Sequence, residues 1–365
     1  MNNEIKKTKP NAQGIIQVSV EAKTTSKGKT TFELPSDFLG NETPVELTIE
    51  NKDLQVTLSN DMFTKKEKQV ELIMESAKKE QLGLSKEEKA EIGDMPIYNI
   101  SLKINGEQID WEGEEDIAIT INLDEKENKE DHKFVAVYYD RKGNIQILKS
   151  SYYKDGKLNF TTKHLSDYGV MYVEPTFKDI ENHWAKEAIE ALAVRGIIKG
   201  VSKDEFRPEE AISRADLVTL MVRCLGFTSD NADSFTSESE KVFDDVDSNK
   251  YYAKSIMVAK EIGLVKGCGN NLFKPLEPVN RQDMMVLLQR VIEMSGEYPN
   301  IKPTGKSYII FNDSNEVSDY AIESVKQMIN SEIVKTRLRR IYPKVNATRA
   351  EVAHALYNIM TTNMK

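Results

Sequence analysis

The chain has 365 residues, of which 39% are hydrophobic and 30% are charged, a composition typical of two or more compact units rather than a disordered chain. Its formal net charge of −9 argues against a non-specific nucleic-acid binder, which needs a basic face to displace counterions from phosphates. No apolar run of about 18 residues occurs, so we expect no membrane span.

The N-terminus lacks the apolar stretch of a signal peptide. We therefore expect either that the chain stays inside the cell or that it is the C-terminal piece of a longer exported protein. The only cysteines, Cys224 and Cys268, are too few for a disulfide framework. Cys224 lies in an apolar run and is predicted to pack as a small hydrophobe, whereas Cys268, between two glycines, is predicted to be an exposed thiol.

Residues 1–14 are polar and predict a flexible lead-in. From residue 15 to residue 174 the pattern is β-rich, because short runs of alternating apolar residues are separated by turn residues. These runs lie at 16–20, 30–34, 45–50, 53–58, 97–104, 117–123, 134–139, 145–149, 158–162 and 170–173. The pattern predicts an antiparallel β-sandwich.

One segment of this unit, 64–82, has apolar residues at helical spacing, namely Val70, Ile73, Met74 and Ala77. We interpret it as a single amphipathic helix. The acidic stretches 112–116 and 124–131 are predicted to be solvated connections.

No catalytic constellation stands out in the β-rich unit. His132 and His164 do not adjoin a Ser or Cys in a nucleophile motif, and carboxylates are too abundant for a chance pair to be diagnostic. We therefore nominate no catalytic residue, metal ligand or cofactor, and expect a structural or ligand-presenting unit rather than an enzyme.

From Phe177 onwards the apolar period becomes helical, and one pattern occurs three times. Each copy has a Phe-x-Asp segment, an aromatic-Ala pair that starts a first helix, and a proline six residues before an Arg that starts a second helix. The Phe-x-Asp segments are 177–179, 243–245 and 311–313. The aromatic-Ala pairs are Trp184-Ala185, Tyr252-Ala253 and Tyr320-Ala321, and the prolines are Pro208, Pro275 and Pro343. A dense apolar stripe on each second helix predicts a helical core.

Each second helix begins with a four-residue box of Ser, Asn or Thr, then Arg, and an acid in the fourth place. The boxes are 213–216, 280–283 and 348–351. Their first and fourth residues form the capping-box pattern, but the Arg faces the positive end of the helix dipole, where an anion is preferred. We hypothesise that each Arg and the helix N-terminus together hold an anion.

These ordered motifs resemble the S-layer homology family of bacterial cell-surface anchors over about residues 177–360. The resemblance implies an all-α pseudo-threefold bundle of three repeats, at 175–228, 241–295 and 309–361, with linkers at 228–242 and 296–310. It also implies non-covalent anchoring of an exported protein to the cell wall through secondary cell-wall polysaccharide, commonly bearing pyruvylated sugars.

By this resemblance, the anion contacts are Arg214, Arg281 and Arg349. Further expected contacts are carboxylates that orient the Arg or accept sugar hydroxyls, aromatic faces for a sugar ring, and glycines that let the backbone approach the ligand. The carboxylates are Asp179, Asp245 and Asp313, the aromatic residues are Trp184, Tyr251 and Tyr252, and the glycines are Gly200 and Gly267.

Plainer interpretations of these residues stay open. A structural bridge to the Phe-x-Asp carboxylate would explain each Arg. A place in the core would explain Trp184, and helix stops would explain the glycines. The third repeat departs from the pattern, since Thr336 replaces the second glycine and Ile341 replaces the Phe. We therefore rank the Arg214 box first, Arg281 second, and Arg349 as a structural remnant.

Two alternatives to a pure anchor also stay open. In the first alternative, the chain is the C-terminal part of an exported carbohydrate-active or peptidoglycan-processing enzyme. In the second, it is a subunit that self-associates in a surface layer. All three readings place the protein at the cell surface.

Overall fold

The computed structural model describes residues 2–64, 69–109, 111–123, 129–140, 144–175, 177–227, 242–294 and 310–362. The chain divides into two compact units, Met1–Val173 and Glu174–Lys365. All but the last residue of each predicted linker, and most of the acidic stretch 124–131, lie outside the described residues. None of the described helices is long and apolar enough to cross a membrane.

The N-terminal unit is built from two β-sheets. The six-stranded sheet has the order β1-β3-β4-β8-β12-β11, and the second sheet has the order β10-β9-β13-β6-β5-β2, with β7 paired to β6. The strands are β1 (Ile16–Glu21), β2 (Lys29–Glu33), β3 (Val45–Glu50), β4 (Leu54–Ser59), β5 (Val70–Ser76), β6 (Ile97–Ile104), β7 (Glu107–Ile109), β8 (Glu112–Asn122), β9 (Phe134–Tyr139), β10 (Ile145–Leu148), β11 (Tyr152–Lys154), β12 (Lys157–His164) and β13 (Asp167–Tyr172).

Alternating side chains of both sheets form one hydrophobic core. Val45, Leu47 and Ile49 of β3 are fully buried, and they share a cluster with Leu72 of β5 and Ile100 of β6. This confirms the β-rich, two-sheet unit predicted from period-two alternation. The sheets are antiparallel except that β1 and β3 run parallel.

The predicted helix at 64–82 is wrong, because residues Val70–Ser76 form strand β5 between β2 and β6. Val70, Leu72 and Met74 are all buried in the hydrophobic core of this unit. The same apolar residues fit a helical and a strand period over so short a segment, and pairing on both sides decides for the strand. The described helices of this unit are short: α1 (Asn2–Ile5), α2 (Ser36–Leu39) and α3 (Lys86–Ile92).

Two further segments differ from expectation. The acidic stretch 112–116 is not a loop but the first half of strand β8, where its residues are mainly exposed. The polar lead-in contains helix α1, whose Ile5 is 1% exposed and belongs to the core. In both cases tertiary packing overrides the local polarity of the sequence.

The C-terminal unit contains six longer helices in its described residues, two per repeat. They are α4 (Lys186–Val194), α5 (Arg214–Cys224), α6 (Ala253–Glu261), α7 (Arg281–Met294), α8 (Ile322–Asn330) and α9 (Arg349–Thr362). The apolar stripes of the second helices α5, α7 and α9 lie in one core, as predicted.

The repeats interlock in a cycle. The first helix of each repeat packs against the second helix of the repeat before it, since α6 contacts α5, α8 contacts α7, and α4 contacts α9. Single β-bridges just before the second helices join all three pairs of repeats: Ser213 with Pro278, Asn280 with Asn346, and Ala211 with Thr348. Each repeat therefore borders both others.

Candidate functional site

The four-residue boxes cap the second helices as predicted. The side-chain oxygens of Ser213, Asn280 and Thr348 accept hydrogen bonds from the N–H groups of Asp216, Asp283 and Glu351 at 3.1, 2.9 and 3.2 Å. Only Glu351 also accepts from the N–H of its cap, at 3.1 Å. Asp is one methylene shorter, and Asp216 and Asp283 instead accept from the cap side chains at 2.8 and 3.0 Å.

The N–H groups that open these helices are not free to hold an anion, contrary to our hypothesis. The N–H groups of Arg214 and Ala215 donate to the carbonyl oxygens of Glu277 and Pro275, both at 2.9 Å. The equivalent pairs donate in the same way, from Arg281 and Gln282 to Val345 and Pro343, and from Arg349 and Ala350 to Glu210 and Pro208. Any anion site must therefore depend on side chains.

Each arginine side chain also reaches into a neighbouring repeat. Its Nε donates to the carbonyl oxygen two residues before the proline of the next repeat. The pairs are Arg214 with Phe273 at 2.9 Å, Arg281 with Ile341 at 2.8 Å, and Arg349 with Phe206 at 2.9 Å. Every candidate site is thus composite: the first arginine belongs with the second repeat, the second with the third, and the third with the first.

The three Phe-x-Asp carboxylates hold the loops on which the arginines rest. The N–H groups of Phe206 and Arg207 donate to Asp179 at 2.9 and 2.6 Å. Asp245 accepts in the same way from Phe273 and Lys274, and Asp313 from Ile341 and Tyr342. The described residues contain no ion pair between an Asp of this set and a box Arg, so the carboxylates orient the arginines only through the backbone.

These bonds secure a strained turn. Arg207, Lys274 and Tyr342 have φ of 57°, 62° and 56°, a left-handed conformation that costs a residue with a side chain about 1 kcal/mol. Because each of these residues donates its N–H to the Asp, the carboxylate stabilises the turn that presents the carbonyl group to the arginine.

The two nominated glycines are explained by packing. A Cβ on Gly200 would lie 2.5 Å from the Phe177 ring, and one on Gly267 would lie 2.6 Å from the Phe243 ring. Gly267 also has a φ of 81°. Both glycines therefore let the Phe of Phe-x-Asp pack on the loop, whether or not a ligand approaches.

The aromatic residues align differently from the sequence prediction. Tyr252 is 5% exposed and directly precedes helix α6, the place that Ala185 and Ala321 take before α4 and α8. The residue equivalent to Trp184 is therefore Tyr251 in the second repeat and Tyr320 in the third, which are 67% and 64% exposed. The aromatic-Ala pairs already align Tyr320 with Trp184, but Tyr320 was not nominated because the third repeat departs from the pattern.

The exposed tyrosines contact the box acids of the preceding repeat. The hydroxyl of Tyr251 donates to Asp216 Oδ1 and that of Tyr320 to Asp283 Oδ1, both at 2.5 Å. Although the Tyr251 ring is largely exposed, partial burial of its hydroxyl and then the hydrogen bond to Asp216 raise the pKa of Tyr251. Burial and the Asp283 hydrogen bond raise the pKa of Tyr320 to about 12. Both phenols are therefore neutral hydrogen-bond donors at physiological pH.

Trp184 has its ring covered by the protein. Lys335 Nζ lies 4.6 Å and the Arg337 guanidinium carbon 5.8 Å from the ring centroid, and the His354 ring lies 5.2 Å away. The side chain is half-buried against the helical core. This geometry agrees with the core interpretation of Trp184 rather than with an open sugar platform.

The Arg214 site is the most open of the three. The guanidinium lies 5.0 Å from the Phe273 ring centroid in a cation–π contact and is half-buried. Within the described part of the chain, its two terminal nitrogens make no hydrogen bond or ion pair. They adjoin the second-repeat loop that carries Cys268, an exposed free thiol whose Sγ lies 3.5 Å from the same Phe273 carbonyl oxygen. Cys224 is the half-buried, unbridged cysteine that the sequence predicts.

The Arg349 site is similar. The guanidinium lies 4.6 Å from the Phe206 ring centroid, and one terminal nitrogen donates to the Lys199 carbonyl at 3.1 Å. Burial lowers the pKa of Arg349, and nearby Asp216 opposes that shift. The other terminal nitrogen has no partner among the residues that the structure describes.

The Arg281 site is closed. Arg281 is 3% exposed, donates to the Lys335 carbonyl at 3.0 Å, and forms an ion pair with Glu351 at 2.5 Å. Ile341 takes the place of the Phe under the guanidinium, so this site has no aromatic face. The departures of the third repeat thus affect Arg281, not Arg349, because the site is shared between repeats.

The C-terminal unit is a module of three interlocked helical repeats with composite cationic sites. The sequence model of the S-layer homology domain matches residues 176–218, 242–285 and 310–353. The C-terminal part of this chain therefore consists of three tandem S-layer homology domains.

Several known proteins are similar to this chain. Amylopullulanase of Thermoanaerobacterium thermosulfurigenes is 30% identical over 67% of the chain and 13% of its own length. The surface-layer 125 kDa protein of Lysinibacillus sphaericus is 28% identical over 42% of the chain and 13% of its own length. The cellulosome-anchoring protein of Acetivibrio thermocellus is 47% identical over 14% of the chain and 12% of its own length. The chain thus spans less than a fifth of each relative.

These findings support cell-wall anchoring at the cell surface as the role of the C-terminal unit. The S-layer homology domain is an anchoring domain and not a catalytic one, so similarity to an amylopullulanase locates no enzymatic region in this chain.

Proposed function

We propose that the C-terminal unit anchors an exported protein non-covalently to the bacterial cell wall by binding an anionic secondary cell-wall polysaccharide, most simply one bearing pyruvate ketals. A pyruvate ketal presents a carboxylate on a sugar ring. The matching receptor is a pre-positioned guanidinium beside flat aromatic and hydroxyl groups.

The observation that carries the proposal is the state of Arg214. Its Nε is fixed by the Phe273 carbonyl and its face by the Phe273 ring, while both terminal nitrogens lack a partner among the described residues. A bidentate bond to a carboxylate needs this free edge of the guanidinium. The exposed ring of Tyr251 belongs instead with the Arg349 site, because Arg349 interacts electrostatically with both Tyr251 and its hydrogen-bond partner Asp216.

The sites are unequal in this proposal. Arg214 and Arg349 each rest on a Phe and keep at least one terminal nitrogen without a partner among the described residues, so they are the two binding sites. Arg281 already has its carboxylate in Glu351, so it serves the fold. This order replaces the ranking drawn from sequence, which placed Arg281 second.

The three repeats act as one functional unit, arranged with pseudo-threefold symmetry. Helix packing and bridges between each pair of repeats support this arrangement, as does the sharing of every site between two repeats. The repeat boundaries 175–228, 241–295 and 309–361 then delimit sequence units rather than independent binding modules. Two sites on one repeating polymer would add avidity.

Co-sedimentation of the full chain with purified cell walls tests the proposal. The walls are used intact and after chemical removal of the secondary polymer. We expect binding to intact walls and loss of binding to stripped walls. Binding that survives stripping would contradict a glycan anchor.

A matched pair of variants locates the site. Arg214→Ala should weaken wall binding roughly 10- to 100-fold, the value of one charge-assisted contact of about 1.5–3 kcal/mol. Arg290→Ala is the control, since Arg290 is also half-buried and donates to a carbonyl, that of Leu264 at 2.8 Å. Equal losses in the two variants would show that the effect is structural.

A further inference from the structure

Residues 335–340 of the third repeat form a strongly basic hairpin, here called the basic hairpin. It carries Lys335, Arg337, Arg339 and Arg340 and no acid, and all four side chains are exposed. Arg337 and Arg340 pair across it, with the N–H of Arg340 donating to the Arg337 carbonyl at 2.8 Å. None of the four cations forms an ion pair with a described residue, although the whole chain has a net charge of −9.

The corresponding loops of the other repeats are not basic in this way. The 199–206 loop of the first repeat balances its lysines with Asp204 and Glu205, and Lys178 pairs with Asp204 at 2.9 Å. The 266–273 loop of the second repeat has Lys266 as its only charge. The excess positive charge is therefore particular to the third repeat and is not required by the repeat fold.

The turn chemistry of the basic hairpin is also unfavourable. Leu338 and Arg339 have φ of 50° and 55°, where the second repeat places Asn270 and Asn271 at φ of 49° and 54°. Asn tolerates this left-handed conformation better than Leu or Arg. Like charges at the directly opposed Arg337 and Arg340 are destabilising as well. These unfavourable residues do not improve the packing either, since Leu338 at the turn is 87% exposed.

Aromatic rings hold two of the guanidinium groups above the surface. Arg337 lies 5.8 Å from the ring centroid of Trp184, and Arg340 lies 6.0 Å from that of Tyr342. Such contacts orient a guanidinium by its face and leave its N–H edge open to an anion. Spaced, unpaired cations along a hairpin suit a chain of anionic groups rather than a single small anion.

We propose that the basic hairpin, which borders the closed Arg281 site, is a second binding surface, separate from the open sites at Arg214 and Arg349, for a linear glycan-type polyanion that carries repeated carboxylate or phosphate groups. The cell wall as the source of that polymer rests on the proposed function, but the binding itself does not. The hairpin would add a charge-dependent attraction, independent of the sugar sequence of the polymer, to the specific contact at Arg214.

Binding of the full chain to immobilised polygalacturonate and to long-chain polyphosphate tests this inference. The variant R337Q/R339Q/R340Q should bind about tenfold more weakly, as expected for three exposed ion pairs, and its affinity should depend less steeply on salt. The two probes distinguish a carboxylate from a phosphate source.

The control variant K29Q/K103Q/K326Q loses the same charge from lysines that are ion-paired with Glu75, Glu71 and Glu323. It should bind within about twofold of wild type. Equal weakening of both variants would show that only net charge matters and would overturn the inference. The inference would also be overturned, in favour of a lipid surface, if R337Q/R339Q/R340Q lost binding to phosphatidylglycerol vesicles while its binding to both polymers stayed unchanged.

A variant that gives the hairpin the turn of the second repeat, L338N/R339N, separates binding from folding. It should be at least as thermostable as wild type and yet bind the polyanions more weakly; lower stability with unchanged binding would contradict the inference. R214A serves as the reference for the box sites: it should weaken wall binding roughly 10- to 100-fold while keeping polyphosphate binding, so the two proposals can fail separately.

Discussion

The Arg214 and Arg281 sites start from the same four-residue box and end with different properties. Both arginines donate through Nε to a carbonyl of the next repeat, at 2.9 and 2.8 Å. Arg214 lies over an aromatic ring and keeps its terminal nitrogens free of described partners, whereas Arg281 lies over Ile341 and is paired with Glu351 at 2.5 Å.

The difference shows that the capacity to bind an anion is not a property of the box alone. The box supplies the guanidinium, and the next repeat supplies the ring and decides whether a protein carboxylate is already in reach. Glu351 reaches Arg281 while its other oxygen accepts from the cap N–H, so the longest acid of the three boxes closes its neighbour's site.

The largest expected effect is a difference in stability between loss of a buried and loss of an exposed Phe-x-Asp carboxylate. Asp313 is 1% exposed, whereas Asp179 is exposed, although both accept two backbone N–H groups. Asp313→Ala should lower the free energy of unfolding by about 3 kcal/mol, because it leaves buried donors unsatisfied. Asp179→Ala should lower it by about 1 kcal/mol. Chemical denaturation measures both, and equal losses would argue against the burial difference.

The next effect concerns the closed site. Glu351→Gln should lower the free energy of unfolding by about 2 kcal/mol, because it leaves the buried Arg281 without a counter-charge. Asp216→Asn is the comparison, since its partner Tyr251 is exposed, and should lower it by less than about 1 kcal/mol. A larger loss in the Asp216 variant would reverse the assignment of open and closed sites.

A chemical probe of the open site is present in the chain. Cys268 is exposed and lies 3.5 Å from the Phe273 carbonyl oxygen that also holds Arg214. Wall polymer bound at Arg214 should slow thiol labelling of Cys268 about tenfold when roughly nine-tenths of the protein is bound. The C268S variant corrects for the half-buried Cys224. Unchanged labelling at saturating polymer would place the ligand elsewhere.

The smallest effect is a dependence on alkaline pH. The pKa of Tyr320 is raised to about 12 from its ordinary value near 10, so the folded state holds the phenol proton more tightly. The associated stability is present below about pH 10 and declines as the pH rises to about 12. Tyr320→Phe should therefore show a flatter stability profile over this range than wild type. An identical slope in both proteins would contradict the hydrogen bond to Asp283.

The sequence predicts the local features of the repeats well. The caps, the apolar stripes and the special third repeat follow from residue types and spacing, since capping and amphipathicity are short-range properties. What it could not show is which loop meets which arginine. Arg214 meets Phe273 across the boundary between repeats, and an alignment that stacks repeats on one another assigns it to Phe206 instead.

Three misses have simple physical origins. Tyr252 was nominated because it precedes an Ala, as Trp184 does, but burial shows that Tyr251 is the exposed equivalent. Helix N–H groups were expected to be free because a sequence does not reveal tertiary acceptors such as the Pro275 carbonyl. The strand at 70–76 was likewise decided by its partners β2 and β6 rather than by its own period.

The most direct test compares wall binding and thermal stability of Arg214→Ala, Arg349→Ala and Arg281→Ala in the full chain. We predict that the first two weaken binding to intact walls roughly 10- to 100-fold with little change in melting temperature. Arg281→Ala should lower the melting temperature and leave binding per folded molecule close to wild type. An Arg281→Ala variant that melts like wild type but no longer binds walls would contradict the division into open and closed sites.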